Sequence, residues 1–496
     1  MIENMREYKY ACREFLSGFA LNALRSYGRE IGVSNPTKDK KKNVLIEEIV
    51  AILAGEVLPT LPSTRGAPVK NDFIDPKIPE GIKQIRRQHL KPGSHEDTME
   101  RFREIKENPL VFKLSDSHRA SRSKEELCES YNGQLETING VAMLLSVDCR
   151  NPDYKVIVPV ELIRVHDLRE GDVISCRAEY NQGVLVATII LTINGFKAEG
   201  FHRGKFDFGR VCYPHQHIKF CEKNTHNTLT AKLLEWLVAV GKGQRGLVVA
   251  PPKTGKSTLL TDMAINAKRA KDDMAIISLL VDQAPEAIAL YQKVVGADEV
   301  LYTTYDDAPE SQMYVAEFAL KRAKRYAESG KDVLLLVDSF NALSRAFNET
   351  DESLGGKTLA GGLESKTIQY LKRYFGTARC FERGGSLTII GTLSIDTGNP
   401  ADDLLRAELA PVSNLEIVLS EDLAKRRIYP SIDLLATRGK RTSETTGLHE
   451  GITNDIIRSD YLSAFTTENL YSIIADAGNF QDMEDRIFKQ LKAKKK

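Results

Sequence analysis

The spacing of apolar residues changes character three times along the chain, and each change predicts a different kind of structure. Between residues 8 and 55 apolar positions recur at helical spacing through Phe15, Phe19, Leu21, Leu24, Tyr27 and Ile31. A polar turn (Ser34-Asn35-Pro36-Thr37) and a lysine-rich run (Lys38-Asp39-Lys40-Lys41-Lys42) follow. A second amphipathic segment then runs through Leu45, Ile46, Ile49, Val50, Ile52 and Leu53. This pattern predicts a small helical domain. From 56 to 124, Pro59, Pro62, Pro68, Pro76, Pro79 and Pro92 interrupt any long element and charges are dense. That composition predicts an extended or disordered linker, with a short helix near Asp97–Lys106. Between 125 and 200 the runs shorten to strand length: Gly133–Thr137, Gly140–Ser146, Tyr154–Pro159, Asp172–Glu179 and Val184–Ile193. Turn residues separate them, which predicts a small β-barrel of OB type. From 225 to 480 buried strands alternate with helices. Leu247–Val249, Ala275–Val281, Val333–Val337, Leu387–Ile395 and Leu415–Leu419 read as strands, and Ser311–Glu328 as a helix. This alternation predicts an α/β domain on a parallel sheet.

Composition narrows the picture only a little. The chain has 496 residues, 28% of them charged, yet a formal net charge of +1. Any nucleic-acid surface must therefore be local. No run of eighteen apolar residues is present and the first residues lack an apolar signal core, so no membrane contact is expected. The seven cysteines (12, 128, 149, 176, 212, 221 and 380) are scattered and none share Cys-x-x-Cys spacing. That argues against a zinc site and suits a reducing cytoplasm.

The candidate chemistry centres on Arg245-Gly246-Leu247-Val248-Val249-Ala250-Pro251-Pro252-Lys253-Thr254-Gly255-Lys256-Ser257-Thr258. An apolar strand runs into a loop ending Gly-Lys-Ser, and a helix follows. Such a loop presents backbone N–H groups and a helix N-terminus to phosphate oxygens. Lys256 would reach the β- and γ-phosphates, and the Ser257 hydroxyl would ligate Mg²⁺. The strict motif begins with Gly where this chain has Ala250. A second buried strand ends in Asp338, the carboxylate that such an ATPase places beside the metal. The strand Ala275–Val281 runs into Asp282-Gln283-Ala284-Pro285-Glu286. A base that activates water belongs there, and Asp282, Gln283 and Glu286 are the local candidates. Two further segments complete the pattern: Ile395-Asp396-Thr397-Gly398 at a strand end, and the basic stretch around Tyr429.

Residues 240–440 closely resemble the bacterial transcription termination factor Rho family of RecA-like ATPases. The matching words include Ala250-Pro251-Pro252-Lys253, which accounts for the off-pattern alanine. They also include Asp338-Ser339, Ser344-Arg345-Ala346-Phe347-Asn348, Gly356-Lys357-Thr358-Leu359-Ala360-Gly361-Gly362 and Ile395-Asp396-Thr397-Gly398. The resemblance implies an ATP-driven RNA translocase and helicase that acts on RNA polymerase transcription complexes in the cytoplasm. It implies a homohexamer ring and the cofactors ATP and Mg²⁺. By the same resemblance Lys253, Thr254, Gly255, Lys256, Ser257 and Thr258 bind the nucleotide, and Tyr429 stacks on adenine. Ser257 and Asp338 hold the metal, and Arg345 acts between subunits. Lys357 and Thr358 lie in the RNA-gripping pore loop, with Asp396, Thr397 and Gly398 in a second one. The arginine finger falls within Thr437-Arg438-Gly439-Lys440-Arg441. A gap-free reading puts Lys440 there, with Arg441 one step away. The N-terminal helices look like the family's small N-terminal domain, and the barrel occupies the place of its cold-shock-like RNA-binding domain.

Three departures bear on activity. The family's catalytic Glu is Gln283 here. The lysine of the second pore loop is replaced within Asn399-Pro400. The barrel's aromatic platform corresponds to Gly140-Val141-Ala142-Met143 and Ile157. Stacking on aromatics contributes roughly 1–3 kcal/mol per base, so primary RNA binding is expected to be weakened or re-routed. Three readings result: a working termination ATPase; a paralogue that binds ATP and RNA, hydrolyses poorly and regulates; and, more distantly, a rotary-ATPase-like subunit.

Overall fold

The computed structural model describes residues 2–30, 33, 41–53, 77–89, 130–149, 155–181, 184–222, 225–271, 273–296, 300–350, 360–382, 384–440, 444–445 and 447–494. By internal contacts the chain divides into two units. One is Met1–Leu127 with Tyr180–Val184; the other is Cys128–Glu179 with Leu185–Lys496.

The first unit contains the helices Ile2–Ser17, Leu21–Glu30, Lys42–Leu53 and Lys77–His89. Their apolar faces meet through Leu16, Leu24, Leu45 and Ile49, all fully buried. The fourth helix lies within the stretch that composition reads as a linker. Ile78 and Ile82 are buried in the same cluster, so tertiary packing outweighs the poor local propensity. Pro79 falls in the first turn, where backbone N–H groups have no intrahelical partner and a proline costs little. The expected helix near 97–106 lies outside the described residues.

The second unit begins with six strands: β1 (Ser130–Ile138), β2 (Val141–Leu145), β3 (Lys155–Ile157), β4 (Val173–Asn181), β5 (Val184–Ile193) and β6 (Phe196–Lys197). Their order is β3-β2-β1-β4-β5-β6, and an added parallel pairing, Ile157 of β3 opposite Val186 of β5, links the first strand of this order to the fifth. Leu144, Val156, Ile174 and Ile193 fill the interior. A short helix, Val160–Val165, follows β3 and is not evident from the strand pattern. Met143 of β2 lies directly opposite Ile157 of β3. The positions where the resemblance expects an aromatic platform thus form an aliphatic cross-strand pair.

The rest of this unit contributes β7 (Val211–Cys212), β8 (Arg245–Ala250), β9 (Met274–Gln283), β10 (Val300–Thr304), β11 (Asp332–Asp338), β12 (Arg379–Phe381), β13 (Ser386–Ser394), β14 (Leu415–Val418) and β15 (Arg438–Gly439). They form one sheet in the order β10-β9-β11-β13-β8-β14-β15, with β12 on β13 and β7 on β12. The five pairings from β10 to β14 are all parallel. Burial on both faces explains why β11 reads Val-Leu-Leu-Leu-Val without alternation. At Gly391 of β13 the Phe340 ring packs so closely that an added Cβ would lie 2.2 Å from it. Glycine is therefore the residue that fits there.

The helix Pro309–Glu328 joins the six-stranded sheet to the larger parallel sheet through polar contacts. Arg322 is only 2% exposed. Its Nε donates to Gln134 Oε1 (2.8 Å), an N–H donates to the Val147 carbonyl, and its guanidinium lies 5.2 Å from the Phe318 ring centroid. Gln134 in turn donates to the Phe318 carbonyl (2.9 Å), and Lys321 pairs with Glu136 (2.6 Å). Near the helix end Glu328 accepts from Arg169 (2.9 Å) and from the Phe206 N–H (2.8 Å). Arg322→Ala leaves the Gln134 Oε1 and Val147 carbonyl acceptors of the six-stranded sheet without this donor. It is expected to cost about 2–4 kcal/mol, read as a clearly lowered midpoint of thermal unfolding. An unchanged midpoint would show that this contact contributes nothing to stability.

Candidate nucleotide site

A parallel sheet collects ligands beyond the carboxyl ends of its strands, and most of the sequence-derived site residues lie there. β8 delivers the chain into the loop 251–255, and the helix Lys256–Arg269 starts immediately after it. Lys253 (φ 63°) and Gly255 (φ 95°) both take left-handed backbone conformations, which wrap the loop tightly. Thr254 is buried, and its hydroxyl donates to the Pro251 carbonyl (2.7 Å). The Ser431 hydroxyl donates to the Thr254 carbonyl (2.7 Å), tying the loop to the segment after Tyr429. Lys253, Ser257 and Thr258 are exposed.

The Lys256 ammonium bends back over this loop and donates to the carbonyls of Ala250 (3.2 Å) and Pro251 (2.8 Å). Burial draws its pKa below the ordinary lysine value, and the nearby Asp338 carboxylate opposes that shift. Asp338 ends β11 and is 6% exposed. β13 lies between β11 and β8, and its Thr392 hydroxyl donates to Asp338 Oδ1 (2.6 Å). Thr392 was absent from the sequence-derived set. Nothing in the sequence singles it out, because the same strand carries a second fully buried threonine, Thr388. The site therefore brings a cation, an oriented carboxylate and an N-terminal helix turn to one edge of the sheet.

Around this centre, β9 ends in Asp282 (φ 57°) and Gln283, followed by Pro285 at the start of the next helix. The Gln283 amide donates to the Val281 carbonyl (3.2 Å). The Asp282 carboxylate faces Arg345 at 3.9 Å and its backbone N–H donates to Thr303 (3.1 Å). Glu286 is exposed on the first turn of that helix. Tyr429 lies beside the phosphate loop: a Cβ added at Gly255 would be 3.4 Å from its ring. The Tyr429 hydroxyl donates to Asp262 Oδ2 (3.0 Å), and burial, then Asp262, pushes the phenol pKa upward. The ring edge is thereby held against the loop where a planar base could lie. Asp262 too was absent from the sequence-derived set.

After β13 the chain continues through Asp396, Thr397 and Gly398, all exposed at the same edge. Thr397 donates to Asp402 (2.7 Å), and Asn399 caps the helix Pro400–Leu409 by accepting from the Ala401 N–H (3.0 Å). Asn399-Pro400 thus forms a helix start with proline at its first position, where the resemblance expects a lysine side chain. Lys440 lies at the opposite edge. Its N–H donates to the Asn414 carbonyl (2.8 Å) and its ammonium to the Ser413 carbonyl (2.9 Å). Asn414 Oδ1 accepts from Arg245, the first residue of β8. Lys440 therefore cannot reach the phosphate loop of its own chain. Lys357, Thr358 and Arg441 lie outside the described residues. No helix among the described residues is long and apolar enough to cross a membrane.

Residues 230–438 match the nucleotide-binding domain of the ATP synthase alpha/beta family. This match shows a RecA-like, ATP-binding P-loop domain. Among curated proteins, transcription termination factor Rho of Karelsulcia muelleri is 36% identical over 280 residues, covering 56% of this chain and 73% of that protein. Rho of Bacillus subtilis is 34% identical over 339 residues, covering 67% of this chain and 78% of its own length. Rho of Mycobacterium leprae is 30% identical over 404 residues, and the chain spans 63% of that longer relative. Among solved structures, an ATP synthase subunit from Nanoarchaeum equitans aligns with a TM-score of 0.48 at 17% identity, covering 57% of this chain and 78% of that one.

Proposed function

The chain belongs to the transcription termination factor Rho family, and from that premise we propose that it is an RNA-dependent ATPase that moves along RNA and acts in transcription termination. The observation that carries this reading is the joint placement of Lys256, Asp338 and Thr392 beside a loop of left-handed backbone at the start of a helix. Such a site binds the triphosphate through preorganised N–H groups and one half-buried cation. Ser257 and Asp338 are the residues that would hold Mg²⁺, which neutralises phosphate charge when bound. Asp338 fits that role because Thr392 orients one of its oxygens in a buried position. Tyr429 offers the adenine a face beside Gly255. Asp396–Gly398, with Lys357 and Thr358, would meet RNA in the centre of a six-membered ring. The six-stranded sheet would be the family's OB-like RNA-binding barrel, binding with less stacking than its relatives. Lys440, at the far edge of the sheet, or its neighbour in sequence Arg441 would serve the site of a neighbouring subunit.

Gln283 supports a second reading. A glutamine can position water and cannot accept its proton, so the chain would bind ATP and RNA and hydrolyse slowly as a regulatory member of the family. Steady-state ATP hydrolysis with and without poly(C) and a mixed-sequence RNA separates the two. Turnover that rises on RNA addition is expected for the motor. ATP and RNA binding without turnover would overturn the motor and leave the regulatory protein.

A further inference from the structure

Cys212, His215 and Cys380 stand apart from the nucleotide site and take no part in it. Cys212 closes β7 and Cys380 is the middle residue of β12. The two strands pair antiparallel with these cysteines directly opposite one another. Tyr213 and Pro214 then turn the chain so that the His215 ring comes back over the pair. Cys212 Sγ lies 3.8 Å from His215 Nδ1, and one ligand atom from each of the three residues lies within 4.8 Å of the others. Tetrahedral zinc, with Zn–S of about 2.3 Å and Zn–N of about 2.0 Å, sets sulfur and nitrogen about 3.6 Å apart. Cys212 Sγ and His215 Nδ1 already stand close to that separation. Cys380 is buried, Cys212 half-buried and His215 exposed, so the group opens to solvent on the histidine side.

We propose that Cys212, His215 and Cys380 bind one zinc ion, with a solvent-side ligand in the fourth position. Two sulfurs and an imidazole are a soft to borderline donor set that favours zinc over magnesium or calcium. Binding replaces the two thiol protons, so Zn²⁺ enters as two H⁺ leave and the ion with its two thiolates is neutral. A cross-strand cysteine pair by itself would equally suit a disulfide. The third donor favours the metal: His215 Nδ1 stands 3.8 Å from Cys212 Sγ and 3.3 Å from the Tyr213 carbonyl, and a disulfide would use neither the imidazole nor its approach to the sulfur. The ion would act as a clip. Two ligands come from β7 and the turn after it, and the third from β12, its neighbour at the side of the same sheet. It would fasten β7 to β12 at a place where only two residue pairs join the strands. The missing Cys-x-x-Cys spacing hid this site from the sequence, because Cys380 reaches it only through the fold.

The test is Co²⁺ titration of the reduced full-length protein, read by thiolate-to-cobalt charge-transfer absorption and the visible bands of tetrahedral cobalt. One equivalent per chain is expected, displaced by Zn²⁺. Cys212→Ser and Cys380→Ser should lose the charge-transfer band, His215→Asn should weaken binding, and Cys176→Ser should behave like the parent. ATP binding, measured on each variant, shows that it is folded. Absence of the band in the reduced parent would overturn the proposal, as would full retention of it in a folded Cys380→Ser variant. A parent isolated with Cys212 and Cys380 disulfide-linked that binds no Co²⁺ after reduction would also overturn it, and would identify the pair as a redox couple.

Discussion

Lys256→Ala is expected to abolish ATP binding at micromolar nucleotide. The Lys256 ammonium is the cation that faces Asp338 at the phosphate loop, and here it rests on the carbonyls of Ala250 and Pro251. Those two bonds hold it in place until phosphate oxygens supply stronger acceptors. Truncating one partner of a buried, charge-assisted contact costs about 2–5 kcal/mol, or roughly 30- to 5,000-fold in affinity. Lys253→Ala is the comparison. Lys253 is exposed and contributes through the surface of the loop, so a loss of about tenfold or less is expected. Equilibrium binding of a fluorescent ATP analogue to both variants checks this. If Lys256→Ala binds as tightly as the parent, the loop 251–255 is not the phosphate site.

Gln283→Glu is expected to raise ATP turnover by about 10²-fold or more while leaving ATP affinity nearly unchanged. A placed general base contributes roughly 10²–10⁴-fold, and glutamine supplies none of it. The Gln283 amide donates to the Val281 carbonyl at 3.2 Å. A glutamate cannot donate there and would be repelled by that oxygen, which turns its carboxylate away from the strand. Single-turnover hydrolysis separates the chemical step from product release. Fast hydrolysis by the parent with no gain in Gln283→Glu would move the base elsewhere. Asp282→Asn would then identify it, since Asp282 already stands in the same turn beside Arg345.

The ATPase half was legible because parallel strands buried on both faces become unbroken apolar runs, and because the phosphate loop is contiguous in sequence. Asp338 was legible as the polar end of such a run. Thr392 and Asp262 were not, since each acts through a neighbour in space: Thr392 across the sheet onto Asp338, Asp262 onto the Tyr429 hydroxyl. The helix Lys77–His89 was hidden by Pro79 in its first turn and Pro76 just before it, residues whose cost depends on where a helix begins. β10 and the short helix Val160–Val165 carry too few residues for their periodicity to stand out. The strand order was also out of reach, because nothing in the apolar run of β13 says that it lies between β8 and β11.

That central position of β13 has a thermodynamic consequence. The strand that steadies the Asp338 carboxylate through Thr392 leads, a few residues later, into the exposed turn Asp396–Gly398. A ligand that favours one setting of this strand over another biases both ends of it. Linkage then requires the exchange to be mutual: whatever factor nucleotide imposes on affinity at the turn, an occupant of the turn imposes on affinity for nucleotide.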